Sequence, residues 1–153
     1  MEKTININEK EFKFKSSAAT NILYKKLFRQ DILIQISDYA KNSKELVNIQ
    51  ERIKAIRSDE SKTQEEILSE INSCMNSEAF KATNEFSYDT LPKLAYIMYL
   101  EANETQETIF KKLTEEQYLF WLMSIDQDEL ISITGEVIAL WKSGAKVSSI
   151  QKN

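Results

Sequence analysis

Histidine is absent from this chain, and cysteine, proline and glycine are nearly so, with Cys74, Pro92, Gly135 and Gly144 their sole representatives. Each shortage excludes something. Histidine titrates near neutral pH and is the commonest metal ligand. Without it the chain lacks the usual general base, the usual zinc ligand and the usual partner of a serine or cysteine nucleophile. Two isolated glycines cannot build a phosphate-cradling loop, which needs several close together. A lone cysteine forms no internal disulfide and suits a reducing cytoplasm. There is no run of about 18 uncharged apolar residues, so no membrane span is expected. The first eleven residues carry no hydrophobic signal core. Together these shortages point away from catalysis and toward a surface that binds something.

What is present is ample material for a globular domain. An apolar fraction of 42% in 153 residues is enough to bury a real core in one domain. Charge is unevenly placed. Residues 1–57 carry 12 Lys/Arg against 7 Asp/Glu, a net of +5, whereas residues 58–153 carry 8 against 17, a net of −9. The basic half has no Arg–aromatic stripe and its lysines are scattered among glutamates, so nucleic acid is not expected as a partner.

The pattern predicts a mainly α (α+β) fold, a short N-terminal β-hairpin packed on a multi-helix body. Ile5 and Ile7, then Phe12 and Phe14, alternate with polar residues, and Asn8-Glu9-Lys10 supplies the turn of a hairpin over 3–15. Four apolar side chains are too few for the hairpin to stand alone, so it must rest on helices. Thr20 is expected to cap a helix over 21–28, and Asp31 a helix carrying Ile32, Ile36 and Tyr39. Leu46, Ile49, Ile53 and Ile56 form an amphipathic stripe, and Ile67, Leu68, Ile71 and Met75 mark another helix. Residues 76–89 read as mixed, with loop. Leu91-Pro92 can open a helix burying Leu94, Ala95, Met98, Tyr99 and Ala102. Thr114 and Gln117 form a capping box ahead of Tyr118–Met123, the most apolar stretch. Asp126 can cap a last helix through Trp141, ended by Gly144. The domain plan is one helical domain over 1–144, a possible inserted helical segment over 44–86, and a flexible polar tail over 145–153.

Candidate chemistry is sparse. Asp126, Asp128 and Glu129 lack the twelve-position ligand spacing and central glycine of a calcium loop, and helix capping explains them. No neighbouring base activates Cys74. Glu65-Glu66 and Glu115-Glu116 point about 100° apart on a helix and read as solvated first turns. No metal or cofactor is expected. Tyr118–Met123, in contrast, is apolar on every side, and only one side can face a small domain's core. The surplus marks an interaction site, with Phe120, Trp121 and Trp141 as candidate partner-binding residues.

The order of motifs resembles a known family. Ile-Asn-x-Lys-x-Phe-x-Phe-Lys (residues 7–15) leads into Ser17-Ala18-Ala19-Thr20, Tyr24-Lys25 and Phe28-x-x-Asp31. Leu94-Ala95-Tyr96-Ile97-Met98, Phe120-Trp121-Leu122, Ile125-Asp126 and Ile138-Ala139-Leu140-Trp141 follow. This is similar to the tail assembly chaperones of long-tailed, siphovirus-type phages of Gram-positive bacteria, over residues 3–41 and 91–143. The chain departs from the family at Glu9, where the family's hairpin turn has glycine, at Asn21, where it has proline, and at Arg29, where it has glycine. The stretch from Lys44 to Phe86 has no counterpart.

The resemblance implies a non-catalytic protein of the infected cell's cytoplasm, absent from the mature virion. It implies binding to the phage tape measure protein, which such chaperones keep soluble, and to the tail tube protein, in many phages through a frameshifted longer form. Self-association is a further possibility the resemblance leaves open, and no nucleic acid or membrane is implied. A coat of weak, repeated apolar contacts along a helical rod fits the same surface, and C-terminal acids would keep it soluble while unloaded. The rival readings are a small helical phage adaptor or inhibitor of a host protein, and a carboxylate enzyme built on Asp126, Asp128 and Glu129.

Overall fold

The computed structural model describes residues 1–151, with side chains described through Gly144, so the expected tail over 145–153 falls outside the fully described residues. In chain order the elements are β1 (Glu2–Ile7), β2 (Lys10–Lys15), α1 (Thr20–Phe28), α2 (Ile32–Ser58), α3 (Gln64–Met75), α4 (Glu78–Glu85), α5 (Leu91–Asn103), α6 (Gln106–Lys112), α7 (Glu115–Met123), α8 (Gln127–Ser132) and α9 (Thr134–Gln151). The fold is the mostly helical body with an N-terminal antiparallel hairpin that the alternation and helical periods predict. The backbone divides into two compact units: unit 1 holds residues 1–33 and 87–153, and unit 2 holds residues 34–86.

In unit 1 the hairpin pairs Lys3 with Phe14, Ile5 with Phe12 and Ile7 with Lys10. Lys10 is therefore in the strand, and the turn is Asn8-Glu9 alone. Both residues have positive φ, 51° and 65°, as a two-residue turn matched to strand twist requires. The pairing puts Ile5, Ile7, Phe12 and Phe14 on one face, and that face rests on α5 through β2. α5 is the centre of the unit. Leu91, Leu94, Ala95, Tyr96, Ile97, Met98 and Leu100 are all buried, the large apolar ones contributing about 1.5–3 kcal/mol each. Besides β2, helices α1, α6, α7, α8 and α9 pack against it. Aromatic rings run through the contacts: Phe14 to Tyr99 at 6.5 Å, Tyr99 to Trp121 at 5.7 Å, Tyr96 to Tyr118 at 5.4 Å and Tyr118 to Phe28 at 5.1 Å.

Unit 2 is built on most of α2, with α3 and α4. The two apolar patterns expected to mark separate helices belong to one 27-residue helix, α2. No glycine or proline lies between 32 and 58 to stop it. Asp31 Oδ1 accepts the Leu33 N–H at 2.9 Å, as a cap should. Residues 76–89, expected to contain loop, instead hold α4, capped by Ser77 Oγ, which accepts the Phe80 N–H at 3.3 Å. A π-helical turn over Phe86–Thr90 then leads into α5. Pro92 lacks the N–H that would bond the Tyr88 carbonyl, and a wider turn just before it relieves that crowding.

Three local expectations are corrected. Thr20 lies within α1, with Ala19 at the cap position, and its hydroxyl serves a different contact described below. The helix after Asp126 is two helices, α8 and α9, broken at Ile133, with Asp126 Oδ1 accepting the Asp128 and Glu129 N–H groups at 3.0 and 3.3 Å. Gly144 does not end a helix, since α9 runs past it. A Cβ there would lie 2.2 Å from Ser16 Oγ and 2.8 Å from the Ser16 carbonyl carbon, so the glycine permits close approach of α9 to the β2–α1 loop. The two glycines of α9 should respond oppositely to alanine. Gly135 has nothing within 4 Å of the site of a Cβ, so Gly135→Ala should stabilise by about 0.5–1 kcal/mol. Gly144→Ala should destabilise by about 1–3 kcal/mol through overpacking. Thermal unfolding of both variants checks the pair.

Candidate functional site

α7 shows how one apolar helix divides its surface. Thr114 Oγ1 accepts the Gln117 N–H at 3.2 Å and fixes the start of the helix. From there Tyr118 and Trp121 point inward and are buried, while Leu119, Phe120 and Met123 point outward with 55%, 60% and 83% of their surface exposed. Residues three and four apart on a helix adjoin, so Met123 lies beside both Phe120 and Leu119, and the three form one exposed apolar patch. Glu115 and Glu116 lie exposed at one end of it, and Asp126, Asp128 and Glu129 follow just beyond the other. The patch is thus apolar in the middle and acidic at both ends.

Of the three candidate partner-binding residues, Phe120 alone is on this surface. Trp121 is buried between the rings of Tyr96 and Tyr99, at 5.4 and 5.7 Å. Its indole N–H finds no acceptor among the described residues, an omission that costs about 1–3 kcal/mol. Trp141 is buried too, and its indole N–H donates to Asn21 Oδ1 at 2.7 Å. The Trp141 carbonyl also accepts from Ser16 Oγ at 3.3 Å. Both tryptophans hold unit 1 together. Leu119 and Met123, which sequence reasoning did not single out, complete the patch in their place. No signal within the run separates its faces, since it is apolar on every side.

A second polar arrangement escaped sequence reasoning altogether. Glu101, near the end of α5, is half-buried, and its two carboxylate oxygens accept from Ser17 Oγ and Thr20 Oγ1, each at 2.6 Å. Thr20 Oγ1 also accepts the Ser17 N–H at 2.9 Å. Burial pushes the Glu101 carboxyl above its ordinary value, against the opposing pull of the two hydroxyls, Lys15 and the N-terminal ammonium. The signal was present in the spacing, because Glu101 continues the Leu94–Met98 stripe and so had to meet the core face. Glu101, Lys15, Ser17, Leu23, Ile109 and Phe110 line a cleft of ≈580 Å³ in unit 1. The carboxylate in that cleft is engaged by the loop that leads into α1, which is a structural use.

The remaining acidic residues behave as helix ends. Asp126 is a cap, and Asp128 and Glu129 sit in the first turn of α8. Among the described residues no group of three or more His, Cys, Asp or Glu side chains is placed to hold a metal ion. No helix among them is long and apolar enough to cross a membrane. Comparison of the chain with family profiles, curated proteins and solved structures finds no match.

Two measurements separate scaffold from surface. Trp121→Ala should destabilise by about 3–5 kcal/mol, whereas Phe120→Ala should stay within about 0.5 kcal/mol of the parent, as denaturant unfolding can show. Glu101 carries a pH signature. Its folded carboxyl binds a proton more tightly than the unfolded one, so its contribution is fully present below the ordinary value of 4.5 and is lost as pH rises through the raised folded value. Relative to Glu101→Gln, the parent should therefore lose stability as pH rises from below 4.5 toward neutrality, read as the difference between the two melting curves across pH.

Proposed function

We propose that this chain is a non-catalytic tail assembly chaperone of a long-tailed phage, and that it binds the tape measure protein. The observation that carries the reading is the exposed patch of Leu119, Phe120 and Met123 on α7. A helix that has already buried Tyr118 and Trp121 keeps three large apolar side chains in water. Exposed apolar area gathered in this way marks a contact surface. An amphipathic helical rod offers the complementary stripe at i, i+3 and i+4.

Two details of the backbone support the resemblance. Where the family has glycine, this chain has Glu9 in the hairpin turn and Arg29 after α1. Both residues stand at positive φ, 65° and 60°. Glycine takes that geometry without the cost a Cβ brings, so the backbone at both positions has the shape the family's glycines suit. The Ser17–Thr20 step, which also belongs to the resemblance, is the loop held by Glu101. Under this reading the acids flanking α7 keep the unloaded protein soluble, and the tail tube protein is a second partner, reached through a frameshifted longer form. The chaperone acts in the host cytoplasm and leaves before the virion is complete.

Co-expression with the tape measure protein of the same genome tests the reading. The parent chain should keep that protein in the soluble fraction. Phe120→Asp and Met123→Asp variants, folded by circular dichroism, should lose it to the pellet, because residues at the centre of such patches carry about 2 kcal/mol or more of binding. Solubilisation that survives in both folded variants would show that the α7 patch is not the binding surface.

A further inference from the structure

Unit 2 is short of core. Of the 27 buried apolar side chains among the described residues, only Ile36, Ile71, Cys74, Ala79 and Phe86 lie in it, although it spans a third of the chain. Small units of this kind commonly gain the missing burial by association. The space that remains is a groove of ≈700 Å³ between α2 and α3. Its α2 wall is Glu45, Asn48, Ile49, Arg52 and Ile56, the later ones three, four, seven and eleven positions on from the first and so on one helical face. The α3 wall is Ser69, Glu70, Ser73 and Cys74, low except at Glu70, which leaves room for another helix to approach.

The charges on the α2 wall say which helix. Glu45 and Arg52 are both exposed, and neither has an ion-pair partner among the described residues. They lie two turns apart, about 10 Å along the helix. The two other charged lining residues, Lys62 and Glu70, are paired with each other and add no net charge against an incoming surface. We propose that the groove is closed by the same groove of a second copy, with the two α2 helices antiparallel about a two-fold axis between Asn48 and Ile49. In that register Glu45 faces the partner's Arg52, and Arg52 faces the partner's Glu45. A parallel arrangement in register would set Glu45 against Glu45 and Arg52 against Arg52. The sequence of the wall is therefore self-complementary in the antiparallel sense alone, as an isologous interface requires. Ile49 and Ile56 supply apolar contact area, while the charge pairs fix orientation and partner. The inference concerns unit 2 and is independent of what unit 1 binds.

Sedimentation of the full chain should show a concentration-dependent dimer. Glu45→Arg places two arginine–arginine contacts in each dimer and Arg52→Glu two glutamate–glutamate contacts. Each substitution is at an exposed position and should leave the helical circular dichroism unchanged. Each should weaken dimerisation on the order of a hundredfold, about tenfold for each like-charge contact. An equimolar mixture of the two variants should dimerise again. The Glu45→Arg chain carries arginine at both positions and the Arg52→Glu chain carries glutamate at both, so opposite charges meet at each contact. A parent chain that stays monomeric at high micromolar concentration overturns the proposal. So does a dimer that either single substitution leaves intact, or two folded variants that fail to recombine on mixing.

Discussion

Unit 1 depends on one helix having no face for solvent. From Leu91 to Leu100, α5 buries every residue but Lys93 and Tyr99, and those two are half-buried. A helix apolar on all sides is stable in water only when enclosed. The hairpin, α1, α6, α7, α8 and α9 are the enclosure, and each needs an apolar stripe of its own to serve. That explains why a two-stranded hairpin, marginal by itself, is ordered here: Ile5, Ile7 and Phe14 lose their water against α5 and its neighbours. It also explains the placement of Glu101. A carboxylate at the end of such a helix cannot escape the interface, so the fold supplies it with the hydroxyls of Ser17 and Thr20.

The α7 patch follows from the same demand. α7 meets α5 with Tyr118 and Trp121, and a nine-residue helix needs no more than that to hold its place. Leu119, Phe120 and Met123 each keep more than half of their surface in water. Their exposure costs solubility without any return in stability, and that imbalance is the physical reason for assigning them to a contact outside unit 1. Trp141 shows the contrasting economy. Its ring is buried, its N–H is satisfied by Asn21, and its carbonyl takes the Ser16 hydroxyl, so nothing of it is left over.

Legibility in the sequence tracked whether a residue had a single physical use. The alternation of Ile5, Ile7, Phe12 and Phe14 has one reading, and so do the caps at Thr114 and Asp126. Tyr118–Met123 has none from periodicity alone, because a run apolar on every side carries no phase. Trp121 and Phe120 were therefore indistinguishable until the contacts with Tyr96 and Tyr99 separated them. Gly144 is the opposite case. A glycine late in a helix satisfies the C-cap rule, yet here its lack of a Cβ is used for the approach of Ser16, 128 positions earlier in the chain. No local rule reaches that far. The helix α4 was hidden for a plainer reason: its single fully buried residue, Ala79, is too small to register as a stripe.

Those long-range ties bear on how the chain accommodates unit 2. Unit 1 is assembled from pieces on either side of it: Asn103 Nδ2 donates to Lys13 O across 90 positions, and Trp141 Nε1 donates to Asn21 across 120. Chain closure of this length is slow to form but not much more costly than a shorter one. Closure entropy grows with the logarithm of loop length, about 0.6 kcal/mol for each doubling. A segment the size of residues 34–86, between the two parts of unit 1, therefore adds less than one such doubling to the closure from Asn21 to Trp141. Within that segment Tyr39 of α2 stacks on Phe86 at 4.1 Å, and Lys62 pairs with Glu70. Unit 1 has a full core and unit 2 a thin one. The first is built by wrapping α5, while the second, with a groove still open beside α2, is left incomplete within a single copy.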